Sequence, residues 1–206
     1  MPSLALLARA APRYNLATGG VETEYTVGGK RWRLHSFETA GSFDFVVTGA
    51  VKPFRMAYVG AGGGGGAQTD PYSGGGGDGG YGGDISGITL TAGTTYPIVV
   101  GAGSTGNGAA STALGYTGAG GNVGFDGNYA NGTAGTTRGP SSNIRDGVTS
   151  EQFGLRGGYN DGGSYPASPT PGHGAAGAYA SGGYGGSTGR NGAGPGGVWI
   201  AYEIDG

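Results

Sequence analysis

The sequence predicts a mainly β protein with little or no α-helix: a small β-sandwich built from flanking strands, carrying a glycine-rich bundle of left-handed polyglycine II helices. Three observations predict it. Glycine supplies 54 of the 206 residues, 6 of them in residues 1–59 and the other 48 in residues 60–206. Short runs before and after the richest glycine stretches alternate apolar and polar residues, the period of a half-buried strand. Within those stretches glycine recurs at every third position, the repeat of a polyglycine II helix.

Such an excess of glycine would ordinarily mean disorder, because glycine loses the most backbone entropy on folding and brings no apolar surface. The 13 tyrosines and a charged fraction of only 12% argue for an ordered chain instead. A net charge of -2 gives no electrostatic reason to bind nucleic acid or an anionic membrane. Cysteine is absent, which removes disulfides, thiolate nucleophiles and Cys-ligated zinc. No apolar run approaches the roughly 18 residues of a membrane span. The apolar start, Leu4 to Leu7, has no basic residue before it, so no secretory signal is expected. His35 and His173 are the two histidines, and neither stands in a nucleophile or metal motif, so the chain is expected to be no enzyme and to hold no cofactor.

In chain order, residues 1–36 read as an N-terminal arm or attachment segment and residues 37–206 as the glycine-rich domain. Residues 1–29 mix Leu, Ala and Arg with Gly pairs at 19–20 and 28–29, and Leu4, Leu6, Leu7 and Leu16 suit docking. Lys30 to Phe37 alternates as a strand, with Trp32 and Leu34 against Arg31, Arg33 and His35. Ser42 to Thr48 and Phe54 to Val59 follow in the same period. Ile85 to Leu90 and Thr95 to Val100, joined through Thr91-Ala-Gly93, read as a hairpin-like pair, with Pro97 demanding an edge or a non-bonded position. Val198 to Ile204 closes the chain as a strand.

Between the strands, glycine falls at 74, 77, 80 and 83; at 115, 118, 121, 124 and 127; and at 174, 177, 183, 186, 189 and 192. A polyglycine II helix makes no internal hydrogen bonds, so its amides and carbonyls must be satisfied by water or by neighbouring helices. A glycine at every third position leaves one face bare and lets neighbours approach to bonding distance. Collagen shares the period, but it needs a long unbroken register and high imino content, and proline numbers only 10. The Pro-rich stretches near Pro140 and from Pro166 to Pro171 read as reversals between antiparallel helices.

Three motifs invite chemistry. Gly60-Ala-Gly62-Gly-Gly-Gly65 and Gly101-Ala-Gly103-Ser-Thr-Gly106 spell a dinucleotide fingerprint after a strand, but no helix can follow either one to meet a pyrophosphate. Gly79 to Asp84 spells one turn of a calcium repeat that works only in tandem, so Asp70, Asp78 and Asp84 are expected as solvated turn carboxylates with no metal. The tyrosines are more suggestive. Tyr72, Tyr81, Tyr116, Tyr129, Tyr159 and Tyr165 stand among Gly, Ser, Asn and Thr, a palette that gives binding loops rigid aromatic area and adaptable hydrogen bonding. The same rings could equally cover glycine helices from water.

Phe37-Glu-Thr-Ala-Gly-Ser-Phe-Asp-Phe45, the strand Met56 to Val59 with its glycine run, the Gly87 to Gly103 pair and the closing Gly-Pro-Gly-Gly-Val-Trp-Ile-Ala-Tyr202 resemble the glycine-rich domains of phage minor tail proteins. The period-three body is similar to the polyglycine II receptor-binding tips of tail fibres. The resemblance covers residues 37–204. It implies a virion component at the tail tip, attached to other tail proteins through residues 1–36, contacting a host cell-surface glycan or protein, and assembled as a homo-oligomer, a trimer by analogy. The chain differs from those tips in having sheet on both flanks, which leaves open a purely structural cap or collar. An ice-binding protein is a further alternative, although the residues between the glycines from 115 to 127 are too irregular for a flat face.

Overall fold

The computed structural model describes residues 17–49, 52–67, 77–126, 141–145, 147, 151–152 and 193–204. Among these residues there are twelve strands and no helix. They are β1 (Ala17–Thr18), β2 (Val21–Val27), β3 (Lys30–Phe37), β4 (Gly41–Val47), β5 (Phe54–Val59), β6 (Gly82–Ile88), β7 (Thr94–Val100), β8 (Ser111–Ala113), β9 (Tyr116–Gly118), β10 (Ser141–Ser142), β11 (Glu151–Gln152) and β12 (Gly197–Glu203).

The strands form two five-stranded antiparallel sheets, ordered β1-β4-β7-β8-β9 and β2-β3-β12-β5-β6, with β10-β11 as a separate ribbon. One apolar core draws on both sheets. Phe45, Val47, Ile98, Val100 and Ala113 come from the first, and Phe37, Phe54, Met56, Val198, Ile200 and Tyr202 from the second. A second core on the other face of the second sheet joins Leu34, Ala57, Val59, Trp199 and Ala201 to Ile144. Central strand β12 is therefore covered on both faces, which explains its nearly unbroken apolar sequence.

Strands β3 and β5 occupy the residues expected of them. Three features differ from the sequence reading. Residues 21–27, expected in a terminal arm, form β2, paired with β3 along all seven residues from Val21↔Ser36 to Val27↔Lys30. Gly28 and Gly29, both at positive φ, make the two-residue turn that such a hairpin requires. The division expected between residues 36 and 37 thus falls inside β3.

The hairpin expected from Ile85 to Val100 does not form. β6 pairs with β5 in one sheet and β7 with β4 and β8 in the other, so the chain crosses between sheets at Leu90, which is buried, and Gly93, whose amide bonds the Val47 carbonyl at 2.7 Å. Local alternation gives a strand its faces but does not name its partner. β7 is also an interior strand, yet β8 pairs only with Ile98 and Val99, so Pro97 lies where β8 does not reach. Finally, Gly115 does not begin a glycine helix. It sits at φ 85° beside Leu114 at φ 50° in the tight β8–β9 turn.

Candidate functional site

Six glycine-rich segments continue directly from the strands. Residues 60–66 follow β5, 101–104 follow β7 and 119–125 follow β9, while 77–81, 106–109 and 193–196 lead into β6, β8 and β12. Three of these segments come from each sheet, and they meet in one body stitched by backbone hydrogen bonds.

Residues 60–64 lie at its centre. Gly60 N donates to Tyr81 O at 2.8 Å, Ala61 N to Ala109 O at 3.0 Å, Gly62 N to Gly194 O at 3.1 Å, Gly63 N to Asp78 O at 2.9 Å and Gly64 N to Gly106 O at 2.8 Å. Amides three residues apart thus serve the same neighbour, and successive amides serve different ones. A strand alternates its bonding direction with period two; here the direction repeats every three residues. The Ala61 and Gly64 carbonyls in turn accept from Gly121 and Gly124, both at 2.8 Å. All five amides from Gly60 to Gly64 already donate to protein carbonyls, so these five are not available to the pyrophosphate that the Gly60 to Gly65 spelling suggests.

The glycines are required by space. A Cβ on Gly60, Gly63 or Gly66 would overlap the backbone carbonyls of Ala119, Asn122 and Phe125, three contacts in step with the three-residue repeat. Gly77 and Gly80 face the carbonyls of Gly63 and Gly60 in the same way.

Of the six tyrosines that the sequence singles out, Tyr81 and Tyr116 are described, and Tyr72, Tyr129, Tyr159 and Tyr165 lie outside the described residues. Tyr81 ends segment 77–81 with its side chain exposed, while its amide donates to Ala119 O and its carbonyl accepts from Gly60. Tyr116 lies on β9, 39% exposed, with its ring 6.0 Å from that of Tyr58. The Tyr58 ring in turn lies against Gly83 and Gly118. Tyr58 and Tyr116 together shield the place where sheet gives way to glycine. Sequence reasoning passed over Tyr58 because it keeps the period of Phe54 and Met56 and reads as core.

The end of the glycine body away from the sheets is pinned by side chains. Asp126 Oδ1 accepts the Ala67 amide at 2.7 Å, and Asn107 Oδ1 accepts the Val123 amide at 2.9 Å. Phe125 stands there 76% exposed. Asp78 accepts from Asn122 Nδ2 at 3.2 Å. Asp84, expected in a solvated turn, lies in β6 and pairs with Arg55 at 2.8 Å. No group of three metal-ligating side chains occurs among the described residues.

A cleft of 740 Å³ opens beside β2 and β3, with Leu34, Phe37 and Phe43 as apolar lining and Glu38 and Arg145 as charged lining. Glu38 Oε1 accepts from Trp199 Nε1 at 2.7 Å. At the opposite end of β12, Glu203 accepts from Lys30 at 2.9 Å and Lys52 at 3.0 Å, and these two hydrogen bonds hold its carboxyl below the usual range. Arg33 is raised by its hydrogen bond to Glu24 at 2.7 Å. His35, expected on the arginine side of its strand, lies fully buried between the sheets, where burial lowers its pKa.

Neither the family models nor the curated proteins compared with this chain gave a match.

Proposed function

We propose that this chain is a structural and adhesive component of a phage tail tip. In this reading the two sheets form a small sandwich, the glycine segments are polyglycine II helices, and the bundle presents tyrosine-bearing segments to a glycan or protein on the host surface. One observation carries the reading: strands of both sheets run into a single glycine body, and at its far end Ala67, which precedes Tyr72 in sequence, is bonded to Asp126, which precedes Tyr129.

Rigid backbone held by neighbouring backbone is a suitable base for exposed aromatic rings, because little further entropy is lost when they bind. The N-terminal segment would attach the chain to other tail proteins, and the assembled form would be a homotrimer.

The test has two arms. Antibody to this chain should label tail tips of intact particles. The purified, fluorescently labelled chain should bind host cells and lose at least about tenfold in affinity, roughly 1.4 kcal/mol, when Tyr72, Tyr129 and Tyr165 are together changed to Ala. Labelling without cell binding would leave a purely structural cap or collar. Absence from particles would overturn the reading altogether.

A further inference from the structure

His35 is the one histidine among the described residues and has no exposed surface. Its ring lies edge-on to Phe45, with centroids 5.1 Å apart, and stacks on Tyr202 at 5.6 Å. Its Nδ1 is 2.7 Å from the Gly19 carbonyl, which can only accept, so Nδ1 carries the proton. Its Nε2 is 3.2 Å from the Tyr202 hydroxyl, whose oxygen also accepts the Ala17 amide at 3.2 Å. The neutral ring completes an ordered relay: Ala17 N–H to Tyr202 oxygen, Tyr202 O–H to His35 Nε2, and His35 Nδ1–H to Gly19 oxygen. Every donor in it meets one acceptor.

The relay ties down a crossing. β1 belongs to the first sheet and β2 to the second, and the chain passes between them through Gly19 and Gly20, at φ 121° and 68°. Among the described residues β1 is held to β4 by two residue pairs, Ala17↔Val47 and Thr18↔Val46. β4 is held to β7 by seven. The relay adds to these pairs and to the burial of Ala17 in the core in fixing β1.

We propose that His35 is an acid-opened clasp: its neutral ring holds the crossing at Ala17–Gly20 against β12, and its protonation releases β1 from the edge of β4. A proton on Nε2 would face the Tyr202 hydroxyl, which must then turn its own hydrogen away and leave it unbonded. The new charge would also lie fully buried. The ionisable groups facing it are few. Glu22 on β2 is 3.9 Å from Nδ1 but 41% exposed, so water weakens its compensation. Arg33 on β3 opposes the charge, and Tyr202 on β12 is held neutral by burial. Packed on the other side, β4 contributes the uncharged Phe45 ring. Release would uncover the β4 backbone at Val46 and Val47 for another strand, a means of remaking contacts at this end of the chain on acidification.

The experiment is amide exchange of Thr18 in the full chain, followed by NMR and corrected for intrinsic rates, between about pH 7.5 and about pH 5. Protection at Thr18 should fall about tenfold for each unit below about 6.5, the ordinary histidine value that release restores to the ring, and level off once the ring is protonated, while Met56 and Ile200 stay far more slowly exchanging than Thr18. The ring resonances of His35 should titrate at the pH where the fall in Thr18 protection levels off. In His35→Gln, whose amide can still donate and accept but cannot take up a proton, the pH dependence should vanish. Three results would each overturn the clasp: a fall in Thr18 protection that levels off away from the His35 titration, its persistence in His35→Gln, or Met56 and Ile200 exchanging as fast as Thr18 as the pH falls. The first of these needs no variant, so misfolding of His35→Gln would not rescue the proposal.

Discussion

The same strands are joined to their neighbours in two different ways on either side of residue 60. Up to Val59 the two sheets share a core of side chains, in which Phe45 and Phe54 meet edge to face at 5.9 Å and Phe54 meets Tyr202 at 5.0 Å. Sheets joined by a layer of side chains stand about 10 Å apart. In the glycine body no layer of side chains stands between the segments issuing from the two sheets, and they approach until amide and carbonyl bond directly, as Ala61 does to Ala109 and Gly121 does to Ala61. Glycine thus replaces apolar contact by backbone hydrogen bonding. The first mode draws on the hydrophobic effect. The second depends on each buried amide finding a carbonyl and on nothing standing between them.

The two modes should fail differently. The largest effect is expected in the side-chain region, where Phe45→Ala leaves a void between the sheets and should cost about 3–5 kcal/mol in denaturant unfolding. Next comes the glycine region. Gly63→Ala adds a single methyl, ordinarily favourable outside turns, but that carbon would overlap the Asn122 carbonyl. Backbone cannot swing aside as a side chain can, so a loss of about 1–3 kcal/mol is expected. Gly106→Ala should be nearly silent, within about 0.5 kcal/mol, because its Cβ would meet only Ser104 Oγ at 3.7 Å. Equal losses at Gly63 and Gly106 would show that chain entropy, and not close approach, governs these glycines.

Acid probes the side-chain region through two groups with the same sign. His35 has a lowered pKa in the folded state because burial disfavours its charge. Unfolded chains therefore take up its proton first. Its contribution is complete above the ordinary value of about 6.5 and falls away as the pH drops below it. Glu203 is lowered by Lys30 and Lys52, so its contribution is present above its ordinary value and disappears as the pH falls through the lowered one. Its partner Lys30 is exposed, so water screens the pair and the effect should be the smaller. Unfolding midpoints measured from about pH 8 to about pH 3 should show a decline that begins near pH 6.5, and His35→Gln should remove its first part.

Where a strand feeds apolar side chains into a core at period two, the sequence makes it legible. β3 and β5 alternate strongly and were bounded correctly. β2, Val-Glu-Thr-Glu-Tyr-Thr-Val, is exposed or half-buried throughout, so its apolar signal is weak. The readable sign was the Gly28-Gly29 turn between two alternating runs. Partners were less legible than strands, because Leu90 reads as apolar whether it ends a hairpin or crosses between sheets. The three-residue glycine period was plain, and the carbonyls opposite Gly60, Gly63 and Gly66 give it a spatial meaning. Which segments would surround residues 60–64 could not be read, since glycine carries no pattern by which one neighbour is distinguished from another. For the same reason Gly115, in phase with the glycines after it, passed for a helix position when it is a turn.

Close-packed backbone past residue 60 is tested most directly by amide exchange of Gly60 to Gly64 in the native chain. Five consecutive amides, each turned to a carbonyl, should be protected to about the same degree as Met56 and Tyr58 in β5. Exchange of these five at the rate of an open chain, with β5 still protected, would contradict it.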